Sequence, residues 1–193
     1  MNALPVWFVT LMAFAVPLVT SAQAPAGPGG AFGAAVNGLQ LRITPITSGS
    51  GAPADVKFDV ALQNTGDSGF ILNLGTMLAN GKVMWPDAVR LMLTDSAGLS
   101  RELHYRSRDA GIAGRIDDYL VALRAGSAYT VRVSLEDYTR GVDMKMTTGR
   151  YRIAARFAGR LATGVNLDMQ GVALLNLWSG VVYSNIAEFD VSR

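Results

Sequence analysis

Between residues 39 and 63 apolar and polar side chains alternate with a period of two, the spacing that buries one face of a strand and leaves the other in water. Leu39, Leu41 and Ile43 alternate with Gln40, Arg42 and Thr44, and Pro45 closes the run. After a turn-rich loop at 49–53, Val56, Phe58, Val60 and Leu62 alternate with Lys57, Asp59, Ala61 and Gln63 in the clearest strand of the chain. Asn64 to Gly69 reads as a tight polar turn, so Phe70 to Leu74 is expected to return beside that strand. Val89, Leu91 and Leu93 predict the next strand, and Asp95-Ser96-Ala97-Gly98 predicts a turn into a hairpin partner over Leu99 to Tyr105.

The second half repeats the pattern. Tyr119, Val121 and Leu123 lead through Arg124-Ala125-Gly126-Ser127 into Tyr129, Val131, Val133 and Leu135. Thr148-Gly149 opens Tyr151, Ile153, Ala155 and Phe157, and Ala187, Phe189 and Val191 close the chain. No long segment holds a helical period with caps; short helical turns are expected near Gly75 to Asn80 and within Leu167 to Leu177. Two long connections, Asn73 to Asp87 and Gly159 to Gly180, interrupt strands of uneven length, which favours a sandwich over a barrel. The expected fold is therefore all-β, a single antiparallel β-sandwich of about seven to nine strands with a helical turn in a long loop.

The first residues follow a different rule. Leu4 to Val19 is an apolar run that ends at Thr20-Ser21-Ala22, a small-residue cleavage pattern, so residues 1–22 read as a secretory signal peptide. Only the α-amine supplies positive charge ahead of the run, where a signal ordinarily carries Lys or Arg. An uncleaved anchor is the competing reading, but the run is interrupted by Pro17 and falls short of the roughly 20 residues that span a bilayer. Residues 23–37 are rich in Ala, Gly and Pro and hold no charge, which reads as a flexible tether to a domain over 38–193. An exported protein, periplasmic or secreted and without an integral membrane span after cleavage, is the expectation.

Composition narrows the function classes. The chain has 193 residues, half of them apolar, which suits one folded domain plus a leader. Cysteine is absent, so the sequence holds no disulfide, no thiol nucleophile, no leader cysteine for lipidation and no thiolate metal site. The 17 basic against 15 acidic residues are scattered rather than striped, which argues against nucleic acid as a partner.

The strand ending in Gln63-Asn64-Thr65-Gly66 and the run Leu123-Arg124-Ala125-Gly126-Ser127-Ala128-Tyr129-Thr130-Val131 resemble bacterial exported immunoglobulin-like and fibronectin type III-like modules. In those modules an Asn-x-Gly turn and a Leu-x-x-Gly-x-x-Tyr-x-Val strand recur. There is also a likeness to BsuPI-like and chagasin-like protease inhibitors. The chagasin-like group uses an Asn-Pro-Thr-Thr-Gly loop, and this chain has Asn64-Thr65-Gly66 without the proline. The resemblance implies an immunoglobulin-like sandwich over residues 38–193 and a function in binding.

Candidate chemistry is sparse. The lone histidine, His104, has the ionisation of a general base but no serine or cysteine motif beside it, and is expected on a strand surface. Asp117-Asp118 and Glu136-Asp137 are the densest carboxylates and are expected as solvated turn residues. No phosphate-cradling glycine motif precedes a helix. No catalytic residue, cofactor or metal is therefore expected. The best site candidate is apolar: Leu167, Met169, Leu175 and Trp178 place unusual hydrophobic area in a connection, with Trp85 in the other long connection and Tyr183 just beyond. Such area either docks a partner protein or folds back as a lid over one end of the sandwich; Trp85, Trp178 and Tyr183 would also offer stacking faces for a glycan.

Intact-mass measurement on protein recovered from an exporting host should place the mature N-terminus at Gln23, after cleavage at Ala22. Recovery of chains that retain Met1 would favour the anchor instead.

Overall fold

The computed structural model describes residues 26–28, 30–46, 56–106, 114–142, 144, 146–162 and 175–192. Twelve strands and one short helix lie among them: β1 (Ala26–Pro28), β2 (Leu39–Pro45), β3 (Lys57–Asn64), β4 (Phe70–Leu78), β5 (Met84–Trp85), β6 (Val89–Thr94), β7 (Ser100–Leu103), β8 (Ile116–Leu123), β9 (Ala128–Ser134), α1 (Leu135–Thr139), β10 (Gly149–Ala158), β11 (Val181–Tyr183) and β12 (Asn185–Val191). The fold is all-β, and apart from β1, which pairs parallel with β12, every ladder is antiparallel. Among the described residues no helix is long and apolar enough to cross a membrane.

The strands form three sheets. One runs β1-β12-β10-β6-β7 with β11 also on β10, a second runs β2-β3-β9, and a third runs β5-β4-β8. The first two share a core because their inward positions are the apolar half of each alternation: Leu39, Leu41 and Ile43 from β2 face Tyr151, Ile153 and Phe189 of the larger sheet. Phe58 of β3 meets Phe189 of β12 edge to face at 5.3 Å between ring centroids, and Tyr151 stacks on Phe189 from the other side. The alternation of β10 shows why it is central. Arg150, Arg152 and Arg156 point outward while Tyr151, Ile153, Ala155 and Phe157 are buried.

β4 does not fold back on β3. It pairs with β8, and β8 leads into β9, which pairs with β3. The ladders β3/β9 and β4/β8 are thus one long antiparallel ribbon that turns a corner at 64–69 and 124–127. Asn64, fully buried, holds that corner: its Nδ2 donates to Ser68 O at 2.9 Å and Leu123 O at 3.1 Å, and its Oδ1 accepts from Gly66 N–H at 2.9 Å. Backbone bonds from Asn64 N–H to Ser127 O and from Gly126 N–H to Asn64 O complete it.

One expectation about helical turns changes. Residues 75–78 belong to β4, where the register slips between Asn73 and Thr76. Gly75 makes that bulge with φ +151, and a Cβ there would lie 2.0 Å from Trp85 O, so only glycine lets β5 approach. The described helical turn is α1, where β9 stops at Ser134 and Leu135 turns inward. Tyr138 is completely buried and its hydroxyl donates to Val89 O at 3.1 Å, which locks α1 over one end of the core. The candidate turn at 167–174 lies outside the described residues.

The segment expected as a tether is tied down over 33–37. Val36 and Leu39 exchange N–H···O bonds of 2.9 Å around Asn37 and Gly38, both at positive φ, the two-residue hairpin turn that Asn-Gly favours. Gly33 N–H then donates to Leu41 O at 2.7 Å, so the chain covers part of the free edge of β2.

The rest of that edge is closed by a side chain. Asn185 Oδ1 accepts from Ile43 N–H at 2.8 Å and its Nδ2 donates to Ile43 O at 3.2 Å, so one amide serves as a strand between β2 and β12. Replacing Asn185 with Ala would leave both backbone groups of Ile43 buried and unpaired, at about 1–3 kcal/mol each. A urea titration should show Asn185→Ala destabilised by about 2–6 kcal/mol with m unchanged; a loss well under that range would mean that water replaces the clip.

Candidate functional site

The residues singled out in the sequence separate on the structure. Trp178 is buried at 5% exposure, its ring tilted on Phe157 at 5.5 Å and its Nε1 donating to Asn37 O at 3.0 Å. Gly159 makes room for it, since a Cβ there would meet Trp178 O at 2.4 Å and Cε3 at 2.8 Å. Trp85 is buried too, so neither indole presents an open face. Leu175 is partly buried; Leu167 and Met169 lie outside the described residues. Tyr183 alone of the aromatic candidates opens onto a surface depression.

The two long connections meet, and they do so through polar groups. Arg160 pairs with Asp87 at 3.1 Å and donates from Nε to Asn73 Oδ1 at 3.2 Å. Asn73 is itself buried and donates to Asp118 Oδ1 and Leu161 O, both at 3.1 Å, while its Oδ1 also accepts from Gly75 N–H. Burial raises the Asp87 carboxyl above its ordinary range; Arg160 opposes that rise, and the nearby Asp118 adds to it. The arrangement is a latch between connections rather than an open cleft.

The other acidic pairs are not on turns. Asp117 and Asp118 lie within β8, where neighbours point to opposite faces, and Asp117 pairs with Arg115 at 3.0 Å. Glu136 and Asp137 sit in the first turn of α1 and are both held by Arg140, at 3.3 and 3.2 Å. His104 is exposed just after β7.

What the strands do build is an outer face on the six-stranded sheet. Register places Met92 between Glu102 of β7 and Ala154 of β10, and Ile186 of β12 continues that row, making an apolar floor. One flanking row is Ser100, Thr94, Arg152 and Glu188; the other is Arg90, Arg156 and Tyr183. Ala154 is short, so the floor dips into a depression of about 270 Å³ lined by Met92, Thr94, Arg152, Ala154, Tyr183 and Ile186. A smaller hollow of about 220 Å³ lies at the β6–β7 turn, between Leu99, Arg101, Met144 and Tyr151. The sheet face is the stiffer platform, because its lining comes from paired strands.

Most charges on that face are spoken for. Arg90 donates to Glu102 at 2.9 Å and holds its carboxyl below the ordinary range, Arg156 reaches the same carboxylate at 3.5 Å, and Arg150 lies 3.7 Å from Glu188 and 3.3 Å from Asp190. Arg152 is exposed and has no acidic partner within ion-pair distance among the described residues. Sequence reasoning found Tyr183 but missed this face, because its residues are the polar half of four separate alternations.

Carboxyl carbon NMR should show Asp87 titrating above its ordinary value of 3.8, so its own contribution favours the fold in acid and is lost as pH rises through the raised value. Arg160→Gln should move that midpoint further up, because the charge and hydrogen bond of Arg160 that oppose burial would be gone; an unmoved or lowered midpoint would show that the latch is not formed. No known protein family matches the sequence and no curated protein is similar to it, so what the outer face does rests on its own residues.

Proposed function

We propose that the chain is a non-catalytic, exported module of the immunoglobulin-like type that makes protein contacts through the outer face of its six-stranded sheet. Strand order supports the module. With β2, β3 and β9 as strands A, B and E, and β12, β10, β6 and β7 as G, F, C and C′, the two main sheets have immunoglobulin-like order, with β4 and β5 inserted between B and C. Export is supported by the apolar run at 4–19 and its small-residue end at Ala22.

The observation that carries the contact reading is where apolar area remains open. Soluble proteins keep contiguous exposed apolar patches small, and rigid ones rimmed by polar groups mark recognition surfaces. Here Trp85 and Trp178 are inside, whereas Met92, Tyr183 and Ile186 stay partly open side by side on paired strands, with Val181 beside them at 41% exposure; the more exposed Leu161, Leu99, Ile116 and Met84 lie in loops or at strand ends. A glycan platform would call for open aromatic faces, and the buried Trp85 and Trp178 leave Tyr183 to serve alone. A cleft-inserting inhibitor would call for a presented Asn64 turn, but Asn64 points inward and is bonded from within.

A photo-crosslinking residue placed at Tyr183 in the producing cell should give a discrete protein adduct, while the same residue at exposed Asp67, on the ribbon corner, should give none. Absence of an adduct at 183, or equal adducts at both positions, would sink the reading.

A further inference from the structure

The outer sheet face carries more information than its openness. Among the described residues, four arginines (Arg90, Arg150, Arg152 and Arg156) stand on it against three carboxylates (Glu102, Glu188 and Asp190), and the ion pairs leave Arg152 over. Arg152 sits mid-strand in β10, opposite Thr94 on one side and Glu188 on the other, and Glu188 is already within reach of Arg150. Its guanidinium therefore directs a planar fork of donors to solvent at the edge of the Met92–Ala154–Ile186 floor.

We infer that the partner presents a carboxylate immediately beside an apolar side chain: the apolar group lies in the dip over Ala154, and the carboxylate takes the two parallel N–H bonds of Arg152. This rests on the protein-contact reading of the face and adds the chemistry that the face selects. The geometry suits it because Ala154 is the short residue between longer Met92 and Ile186, and Arg152 is the next outward residue along the same strand, so both contacts fall within one strand step. Bidentate guanidinium–carboxylate pairing is among the strongest and most directional polar contacts available.

The same charges disfavour the alternatives. A basic segment would set like charge against Arg152, and a wholly apolar one would bury that guanidinium unpaired. A nucleic-acid backbone would bring phosphates against Glu102, Glu188 and Asp190, which are interleaved with the arginines rather than set apart from them.

The probe is a phage-displayed library of random peptides panned against the immobilised mature chain, followed by synthesis of the enriched peptides. Enriched sequences should carry Asp or Glu next to Leu, Ile, Met or Phe. They should bind Arg152→Glu at least about tenfold more weakly than the unaltered chain, and they should also lose affinity for Met92→Glu. Peptides that depend on Met92 but lack an acid, or ignore Arg152→Glu, would overturn the carboxylate inference and leave the contact surface standing. Peptides indifferent to both substitutions, or no enrichment at all, would overturn the surface itself. Sedimentation of the unaltered chain is the companion measurement: a dimer abolished by either substitution would put a second copy on the face and overturn the inference of an acidic segment. Both substituted side chains are outward on the sheet, and far-UV circular dichroism of each variant checks that the fold is kept.

Discussion

The sandwich closes on one amide. β11 and β12 would be a single strand along β10, but the chain steps aside at Ser184, which is fully buried. Ser184 repairs the ladder on the β10 side: its N–H donates to Ala155 O at 2.9 Å, and its hydroxyl accepts from Ala155 N–H at 2.8 Å while donating to Asn185 O. That step turns Asn185 toward the other sheet, where it pairs with both backbone groups of Ile43. Without it the inner edge of β2 would hold a buried donor and acceptor with nothing to bond, the costly case for any backbone group removed from water.

The same device recurs at two further places where regular pairing fails. Asn64 fills the corner of the ribbon, and Asn73 fills the bulge of β4 while linking Arg160 and Asp118. Asparagine suits these positions because it carries a donor and an acceptor in one plane, as a peptide group does, and no charge to desolvate. A cysteine-free chain has no covalent cross-link to hold such breaks, so satisfied buried amides do the joining.

This division also explains what could be read from the sequence. Alternation identifies β2, β3, β6, β9, β10 and β12 because each has one buried and one solvated face, and their inward residues are those expected. Alternation cannot say which strand pairs with which, so the route of β4 to β8 instead of β3 was not legible; the decisive residue, Asn64, looks like any turn asparagine until its burial is known. Composition misled at 33–37, where Ala and Gly suggest a tether but Asn37-Gly38 carries a hairpin signal in its backbone demands. Trp85 and Trp178 lie in connections, where the sequence alone allows either a docking patch or an inward lid; glycines at 75 and 159 open the backbone space that lets those connections pack inward. Large residues in a loop flanked by glycines are better read as plugs.

Once the connections are seen to be occupied with one another, the location of a binding surface follows by elimination of work. The Trp178 indole, the Asp87 carboxylate of the latch and the corner turn spend their polar groups within the fold, and the Trp85 ring is buried. The outer sheet face does not: its central strands β6 and β10 are already paired on both sides through the backbone, so their outward side chains are released from any structural duty beyond solubility. On a surface under that constraint alone, interleaved ion pairs with no apolar floor would serve. The dip over Ala154, the partly open ring of Tyr183 and Arg152, which has no ion-pair partner among the described residues, depart from that expectation together and in one place, and a departure that combines shape, apolarity and charge is what selective recognition requires.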